Sequence, residues 1–402
     1  MTKRYLMTPG PTPVPSEVLL AQAQPIIHHR TPEFSQILEE VIADLKYVFQ
    51  TKNDVLIFAA SGTGVMESAV VNLFSPNDKV IVCSNGKFGD RFVKLTEAYG
   101  LNVIKLEYDW EQVVNPDDIA KQLEANPDVK GVFVVQSETS TGVLNDVKAI
   151  GELVKDYPAV LVVDSITGIG AVECQTDAWH LDVVMTGSQK GLMLPPGLAC
   201  VSVSEKAWQL AASSKLPKFY FSWEKAKKSL AKSTTPFTPP VSLIIGLAAA
   251  LKLMRQEGLE NIIARHAQLA EAARQGVQAL GLKLFAPPAG RGNAVTPVWV
   301  PEGIDGKALV KLMSNKYGIT IAGGQDHLAG KIFRIGHLGY FDRFDILTTI
   351  AGLEMCLTEL GYRFEPGTGV KAAERNLRAS IEAYSQVSNL DEILRQYSPF
   401  TK

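Results

Sequence analysis

The chain has 402 residues, of which 46% are hydrophobic and 20% charged, and its formal net charge at pH 7 is −2. This length allows about two domains with a sizeable core, and the nearly neutral charge gives no reason to expect a nucleic acid or an anionic membrane as a partner. The four cysteines lie far apart, which argues against a disulfide framework and against metal or iron–sulfur sites built from closely spaced thiols.

The first element in chain order is an extended arm, residues 1–20, in which Pro9, Pro11, Pro13 and Pro15 exclude a helix or a central strand. The arm has neither the apolar core of a signal peptide nor the composition of a transit peptide. No later run of about 18 apolar residues is available to span a bilayer. We therefore expect a soluble, cytoplasmic protein without membrane contacts.

Short β-branched runs then alternate with segments of helical periodicity. Continuous apolar strands of this kind are typical of a mainly parallel sheet that helices cover on both faces. The predicted strands are VLIF (55–58), VIVC (80–83), VFVV (132–135), VLVVD (160–164) and DVVMTG (182–187), with helices near 64–74, 89–99, 116–125 and 146–156. Such sheets bind ligands at the carboxyl ends of their strands, so residues that follow these strands are the candidates for function.

A second, smaller α+β domain is predicted to follow. Its elements, after a connecting helix at about 243–256, are a helix near 261–280, strand-like residues 294–301, a helix near 306–317, a strand at 331–339 and a helix at about 342–360. The residues beyond Pro366 are charged and have helical tendency, and the sequence does not determine their position.

Lys190 follows the strand DVVMTG in a tight SQKG turn, before an apolar Leu-Met-Leu-Pro-Pro run. An ammonium group at the end of an apolar strand would be desolvated, which lowers its pKa and frees the amine as a nucleophile. A lone lysine in a loop is more often an ordinary surface residue, so the assignment depends on its neighbours.

Asp164 ends the predicted core strand VLVVD. Carboxylates seldom end a buried strand without a cationic or hydrogen-bond-donating partner. A pyridinium nitrogen is one such partner, because an aspartate there keeps the ring protonated and able to accept electrons. A cap on the following turn is the alternative role.

The turn SGTG (61–64) lies between the strand VLIF and a predicted helix. Gly62 and Gly64 allow close backbone approach, Thr63 supplies a hydroxyl, and the helix would direct its unpaired N–H groups at a phosphate. A glycine turn alone is a weak signal, and this one lacks both the GxGxxG spacing and the lysine of a Walker loop, which disfavours a nucleotide.

In this order the three elements resemble the fold-type I enzymes that use pyridoxal 5′-phosphate (PLP). The nearer resemblance is to class V aminotransferases of the alanine–glyoxylate and serine–glyoxylate (serine–pyruvate) group, over about residues 5–362. The segments that carry it are TPGPTPVP, SGTGVMESAV, SNGKFGDR, SETSTGV, VVDSITGIG, TGSQKGLMLPPGLA, TPPV and FRIGHLG.

The resemblance implies an α/β fold with a mainly parallel, seven-stranded sheet in a large domain and a smaller C-terminal α+β domain. The implied divisions of the chain are an N-terminal arm (1–20), a large PLP-binding domain (21–258), a small C-terminal domain (259–365) and a C-terminal extension (366–402).

The resemblance also assigns roles to matching positions. Lys190 would hold PLP as a Schiff base and move the proton between substrate and cofactor, and Asp164 would pair with the pyridine nitrogen. The other cofactor-binding residues would be Gly62, Thr63 and Gln189 at the phosphate, Thr139 near the phenolic oxygen, Phe88 and Ile166 on the two faces of the ring, and Thr238 reaching the phosphate from a second subunit.

Arg334, in FRIGHLG, would bind the substrate α-carboxylate, because a guanidinium offers a planar pair of donors that matches a carboxylate. An ion pair with an acidic side chain of the protein is its alternative role. The arm around Gly10 would close over the substrate. The implied partners are small amino acids, 2-oxo acids and a second copy of the chain in a homodimer with shared active sites, and no metal site is predicted.

These roles predict ping-pong transamination from alanine or serine to glyoxylate or pyruvate. Aspartate or another amino donor stays open, because the sequence identifies no second arginine for a distal carboxylate. A PLP lyase of the same fold is a second alternative, although the loop 318–331 lacks the cysteine that a desulfurase needs. A non-catalytic subunit of a redox complex is a third, since some relatives of this group have carried the name of a soluble hydrogenase subunit.

Overall fold

The computed structural model describes residues 3–387. Its strands are β1 (Tyr5–Leu6), β2 (Asp54–Phe58), β3 (Lys79–Ser84), β4 (Asn102–Glu107), β5 (Gly131–Val135), β6 (Ser137–Glu138), β7 (Val143–Leu144), β8 (Val160–Asp164), β9 (Val183–Gly187), β10 (Ala199–Val203), β11 (Val295–Trp299), β12 (Ile319–Thr320), β13 (Ala322–Gly323) and β14 (Ile332–Gly336). Its α-helices are α1 (Ser16–Gln22), α2 (Pro32–Phe49), α3 (Gly62–Leu73), α4 (Lys87–Ala98), α5 (Pro116–Ala125), α6 (Val147–Val154), α7 (Glu205–Ala211), α8 (Trp223–Leu230), α9 (Val241–Glu257), α10 (Leu259–Ala279), α11 (Gly306–Asn315), α12 (Arg343–Glu359) and α13 (Thr368–Val387).

A seven-stranded sheet in the order β2-β10-β9-β8-β5-β3-β4 forms the centre of the larger part. Strands β4, β3, β5, β8 and β9 run parallel, whereas β10 is antiparallel to both β9 and β2. The connection from β9 to β10 is too short for a crossover helix, so the chain must return antiparallel. The mainly parallel sheet expected from the sequence is confirmed, and Lys190 lies in this short connection.

Burial on both faces explains why the central strands read as continuous apolar runs. In β5, Val132 and Val134 belong to one buried core, while Phe133 and Val135 belong to the core on the opposite face. Strand β4, at the sheet edge, has no fully buried residue, and its alternating polar and apolar residues gave a weaker sequence signal than those runs.

A three-stranded antiparallel sheet, in the order β11-β14-β13, lies in the C-terminal part. Its core is shared with residues of α10, α11, α12 and α13. Strand β1 of the N-terminal arm pairs with β12, and the Gly336 amide of β14 donates to the carbonyl of Met7 at 2.8 Å. The arm is therefore fixed to the C-terminal part before it passes Lys190.

Helix α13 covers part of the predicted C-terminal extension. Its residues Ala373 and Leu377 are buried in the same core as α10 and α12. Residues 388–402 of that extension lie outside the described residues, and the domain boundaries stay a prediction. Within residues 3–387 no helix combines the length and apolar character needed to cross a membrane.

Glu354 of α12 stabilises the start of α13. Its buried carboxylate accepts hydrogen bonds from the backbone amides of Gly367 (2.7 Å), Gly369 (2.8 Å) and Val370 (3.1 Å). These amides include donors of the first turn of a helix, which have no intrahelical partner, and a carboxylate there also complements the helix dipole.

We predict that Glu354→Ala lowers the free energy of opening α13 by about 2 kcal/mol, because it leaves these buried donors unpaired. Hydrogen exchange of residues 367–378, followed by mass spectrometry, measures the effect. Glu359→Ala is the control on the same helix, since Glu359 makes a more exposed ion pair with Lys316. Equal exchange rates in the two variants would contradict the prediction.

Candidate active site

Lys190 lies in a closed turn at the carboxyl end of β9. The turn is held by hydrogen bonds from the Ser188 amide to the Leu198 carbonyl (2.8 Å) and from the Met193 amide to the Lys190 carbonyl (3.0 Å). The Lys190 side chain is buried, and its Nζ donates to the Pro9 carbonyl at 2.6 Å. The amine therefore points at the N-terminal arm rather than at solvent.

Gly10 gives the arm its close approach to this amine. Its φ of +135° lies in a region that side chains strongly disfavour. A Cβ atom at this position would lie 2.3 Å from Lys190 Nζ. The residue expected to close over the substrate is thus one whose lack of a side chain leaves room for the reactive amine.

Asp164 ends β8, the parallel neighbour of β9, so its carboxylate and the Lys190 turn share one edge of the sheet. The side chain is 2% exposed, and Oδ1 accepts a hydrogen bond from the Ile166 amide at 2.8 Å. Two side chains that are far apart in the sequence are brought together because parallel strands present their carboxyl ends on one side.

Burial shifts the pKa of both groups toward their neutral forms. Desolvation raises the pKa of Asp164 to about 7 and lowers that of Lys190 to about 8. Each charge opposes the shift of the other, because the Asp164 carboxylate stabilises the Lys190 ammonium. A larger fraction of the Lys190 amine is therefore neutral near pH 8 than in an exposed lysine.

The first turn of α3 provides a second set of donors beside this pair. Ser61, at the N-cap, makes no side-chain capping bond, and Ile166 is in such close contact with Gly62 that a Cβ there would lie 2.5 Å from its Cδ1. A Cβ built on Gly187 would lie 3.2 Å from Gln189 Oε1 and 3.7 Å from the Gly62 nitrogen. The predicted residues Gly62, Ile166 and Gln189 therefore occupy one location.

Arg334 reaches the same region from β14. Its Nε donates to the Gly323 carbonyl and its Nη1 to the Thr139 carbonyl, both at 2.9 Å. Thr139 in turn shares a 2.6 Å hydrogen bond with the hydroxyl of Thr167. Arg334 is 7% exposed, and its burial lowers the pKa of Arg334 to about 10. The carbonyl acceptors of Arg334 are neutral oxygens, and so is a third, Gln325 Oε1, at 3.5 Å from Nη1.

Glu138 is a buried residue at this site to which the sequence analysis gave no role. Its carboxylate accepts hydrogen bonds from the Phe88 and Gly89 amides at 3.0 and 3.1 Å, and from the Ser140 hydroxyl at 2.5 Å. Burial raises the pKa of Glu138. The carboxylate thus joins the start of α4, where Phe88 lies, to the SETSTG loop that contains Thr139.

Arg91 is a second residue with no role in the sequence analysis, although the segment SNGKFGDR contains it. Its Nη1 donates to Thr63 Oγ1 at 2.9 Å, and its guanidinium carbon lies 4.6 Å from the centroid of the Phe88 ring. The contact with Thr63 joins residues 28 positions apart. No local pattern reveals such a pairing, which arises because α3 and α4 pack side by side.

Thr238 is the predicted site residue that stands apart from the others. It is exposed, and it lines an apolar cavity with neighbours that include Phe237 and Tyr220. The adjacent segment is held by Arg30, which donates to the Thr235 carbonyl at 2.8 Å. Within the single chain, the contacts that join the other predicted residues do not include Thr238, and its expected contact is with a second subunit.

Comparison with known proteins identifies close relatives over nearly the whole chain. The family model "Aminotransferase class-V" matches residues 4–393. A protein named soluble hydrogenase, small subunit, from Synechococcus sp. (strain PCC 6716) is 49% identical and covers 93% of this chain and 98% of its own. A serine–glyoxylate aminotransferase from Methylorubrum extorquens is 38% identical, covering 94% of this chain and 96% of its own.

Solved structures of aminotransferases share the fold of this chain. The crystal structure of ureidoglycine–glyoxylate aminotransferase from Bacillus subtilis matches with a TM-score of 0.89 at 31% identity, over 94% of this chain and 99% of that chain. These matches confirm the resemblance to class V aminotransferases that the sequence segments indicate, and the fold-type I architecture with it.

Class V aminotransferases depend on PLP, and the residues of the pocket fit this cofactor. Gln189 has a buried amide oxygen without a hydrogen-bond partner, and rotation of the amide would offer an N–H donor at the same place. The uncapped start of α3 offers backbone donors to a phosphate. Asp164 can accept a bond from a protonated ring nitrogen, and Lys190 supplies a buried amine.

We predict that Asp164→Asn makes the Lys190 amine of the cofactor-free protein reactive at lower pH. The Asp164 charge raises the pKa of Lys190, so its removal lowers that pKa further, by about one pH unit. The rate of Lys190 acylation is measured by mass spectrometry between about pH 6 and about pH 10. The midpoint of its pH dependence gives the pKa of Lys190.

Two references accompany this titration. The exposed Lys148 is an internal reference in the same digest. Asp305→Asn is the matched variant, since asparagine also caps a helix and Asp305, the cap of α11, is not among the groups that shift the pKa of Lys190. A Lys190 midpoint that stays constant or rises in Asp164→Asn would show that the two groups are not coupled.

Proposed function

Because the chain belongs to the class V aminotransferase family, we propose that this PLP-dependent transaminase moves the amino group of alanine or serine to glyoxylate or pyruvate. The observation that carries the proposal is the buried pair at the edge of the sheet. A lysine with a pKa lowered to about 8 lies beside a carboxylate, at the carboxyl ends of two neighbouring parallel strands. A neutral amine near an anionic ring partner is the chemistry that this cofactor requires.

PLP, when bound, supplies an electron-accepting ring that stabilises negative charge at the substrate Cα. The residues that would hold it are Lys190, Asp164, Gly62, Thr63, Gln189, Thr139, Phe88 and Ile166. In this assignment Asp164 keeps the ring nitrogen protonated. The amine of Lys190 would hold the cofactor aldehyde covalently, and it would also carry a proton to and from the substrate Cα. Burial suits the amine to this role because it lowers the pKa of Lys190 to about 8.

Arg334 would orient the substrate by its α-carboxylate. Its hydrogen bonds to the Gly323 and Thr139 carbonyls fix the plane of the guanidinium, so an incoming carboxylate meets donors that are already positioned. The arm carries the Pro9 carbonyl that contacts Lys190 Nζ. We assign it the role of covering the substrate and excluding water from the amine.

The exposed position of Thr238 supports a homodimer with shared sites. Thr238 is exposed and lines a cavity whose lining does not include Lys190 or Asp164, and a second copy of the chain would bring this residue to the cofactor phosphate. This contact and the dimer remain part of the proposal.

Burial of the cysteines disfavours the lyase alternative that uses sulfur transfer. The four cysteines are all buried, and desolvation raises the pKa of Cys356, the one in the C-terminal part, to about 11. A nucleophilic cysteine requires an accessible thiolate. The third alternative, a non-catalytic subunit of a redox complex, rests on the name of the Synechococcus relative, which concerns that protein. The Lys190 pocket would give this chain a site for amino-group chemistry whether or not it has partners.

We predict that Lys190→Ala abolishes transamination, whereas Arg334→Lys leaves kcat within a few-fold and raises KM about 10- to 100-fold, since lysine keeps the charge but loses the planar pair of donors. Steady-state kinetics with alanine and glyoxylate measure both effects. Arg343→Lys, at the exposed start of α12, is the control. Turnover by Lys190→Ala comparable to wild type would refute the assignment of the amine.

The choice of amino donor is tested by half-reactions. Single amino acids are added to the PLP-loaded protein without any oxo acid, and conversion of the cofactor to its amine form is followed spectroscopically. We expect alanine or serine to react at least about tenfold faster than aspartate, because Arg334 is the one guanidinium assigned to a substrate carboxylate. A faster reaction with aspartate would replace the proposed donor but leave the transaminase assignment unchanged.

A further inference from the structure

Arg91 occupies a position that links two predicted cofactor contacts. It lies on α4 one turn after Phe88, and its guanidinium carbon lies over the Phe88 ring, 4.6 Å from the centroid. The same guanidinium donates to Thr63 Oγ1, on the first turn of α3, at 2.9 Å. One rigid, planar group therefore joins the aromatic ring to the hydroxyl.

The hydrogen bond from Arg91 decides the direction in which Thr63 can donate. A threonine hydroxyl has one proton and can accept at its oxygen lone pairs. Since arginine only donates, Thr63 Oγ1 must be the acceptor of this contact, and its own proton stays available for another acceptor. The uncapped start of α3 and the unpartnered Gln189 amide lie beside it. An anion at this place would thus meet donors from three sources.

The charge of Arg91 has no ion-pair partner among the described residues, although it acts at longer range on Asp164, whose pKa it lowers. The Arg91 side chain contacts a neutral hydroxyl and an aromatic ring, and within residues 3–387 it forms no ion pair with an aspartate or glutamate. Arg334 has the same property on another wall of the pocket. Buried or partly buried guanidinium groups that form no ion pair with a carboxylate favour anionic ligands. Two such groups match two ligand anions, the cofactor phosphate and the substrate carboxylate.

We infer that Arg91 is a positioning residue that couples the orientation of the cofactor ring to the binding of its phosphate. It holds Phe88 in the plane that faces the ring and holds the Thr63 hydroxyl as a donor to the phosphate, while its charge compensates the phosphate dianion. The inference rests on the proposed function, in which Phe88 and Thr63 contact PLP.

Equilibrium dialysis of cofactor-free protein against PLP and against pyridoxal, which lacks the phosphate, tests the inference. Arg91→Met is expected to weaken PLP binding about tenfold or more, since a charge-assisted contact is lost, and to weaken pyridoxal binding less. The visible circular dichroism of the bound cofactor, which reports the asymmetric setting of the ring, is expected to fall with both ligands. Arg255→Met is the matched control, because Arg255 also lies over an aromatic ring, 3.9 Å from the centroid of Tyr47, but joins α9 to α2 rather than α4 to α3.

Two further variants separate a bridging role from a merely charged one. Arg91→Lys is expected to restore part of the PLP affinity through its charge but not the circular dichroism, because an ammonium cannot lie flat on Phe88 and also donate to Thr63. Thr63→Val removes the same contact from the other side, and its effect is expected to be less than additive with Arg91→Met.

Several outcomes would overturn the inference. These are PLP affinity of Arg91→Met within twofold of wild type, equal losses for PLP and pyridoxal, full recovery of the circular dichroism in Arg91→Lys, or additive effects in the double variant. Wild-type protein that fails to bind PLP would instead refute the proposed function itself, and the inference with it.

Discussion

Two charged groups are buried at one edge of a parallel sheet, and the rest of the site is arranged around the free-energy cost of their desolvation. Asp164 and Lys190 lie at the carboxyl ends of β8 and β9, where each partly compensates the charge of the other. The compensation is incomplete, so the pKa of Asp164 is raised and the pKa of Lys190 is lowered, and both shifts favour the neutral form. This unbalanced state makes the lysine amine available for chemistry near physiological pH.

The surrounding structure holds this pair in place through contacts from distant parts of the chain. The N-terminal arm is attached to the C-terminal part through the pairing of β1 with β12, and then places the Pro9 carbonyl on the lysine amine. Glu138 accepts hydrogen bonds from the free amides at the start of α4 and so fixes the SETSTG loop against Phe88. Movement of the C-terminal part relative to the sheet would therefore change the contact between the Pro9 carbonyl and the Lys190 amine.

Electrostatic complementarity gives the pocket a defined ligand pattern. Arg91 and Arg334 form no ion pair with a carboxylate among the described residues, while Asp164 accepts one backbone hydrogen bond and interacts electrostatically with Lys190. Ligands with two anionic groups, one for each arginine, and one cationic or hydrogen-bond-donating group for Asp164 would complement this pocket. Such a pattern is specific to the site rather than to the fold, which hosts several chemistries among its relatives.

Much of the fold, and the central pair of the site, could be predicted from local sequence. Apolar strand runs, helical periodicity and the order of the segments predicted the mainly parallel sheet and the positions of Lys190 and Asp164, because burial on both faces of a strand leaves a continuous signal in the residues themselves. The edge strand β4 and the antiparallel β10 were not predicted, since half-exposed strands and short returns have weaker patterns.

Only the tertiary structure identified Glu138 and Arg91 as parts of the site. Their contacts join residues on separate elements, such as Arg91 with Thr63, and depend on how α3, α4 and the SETSTG loop pack. The sequence by itself determined which chemical groups follow which strands. The packing decided which of those groups share a low-dielectric pocket, and therefore which pKa values shift and which charges stay unpaired, because desolvation depends on all the atoms around a group and not on its neighbours along the chain.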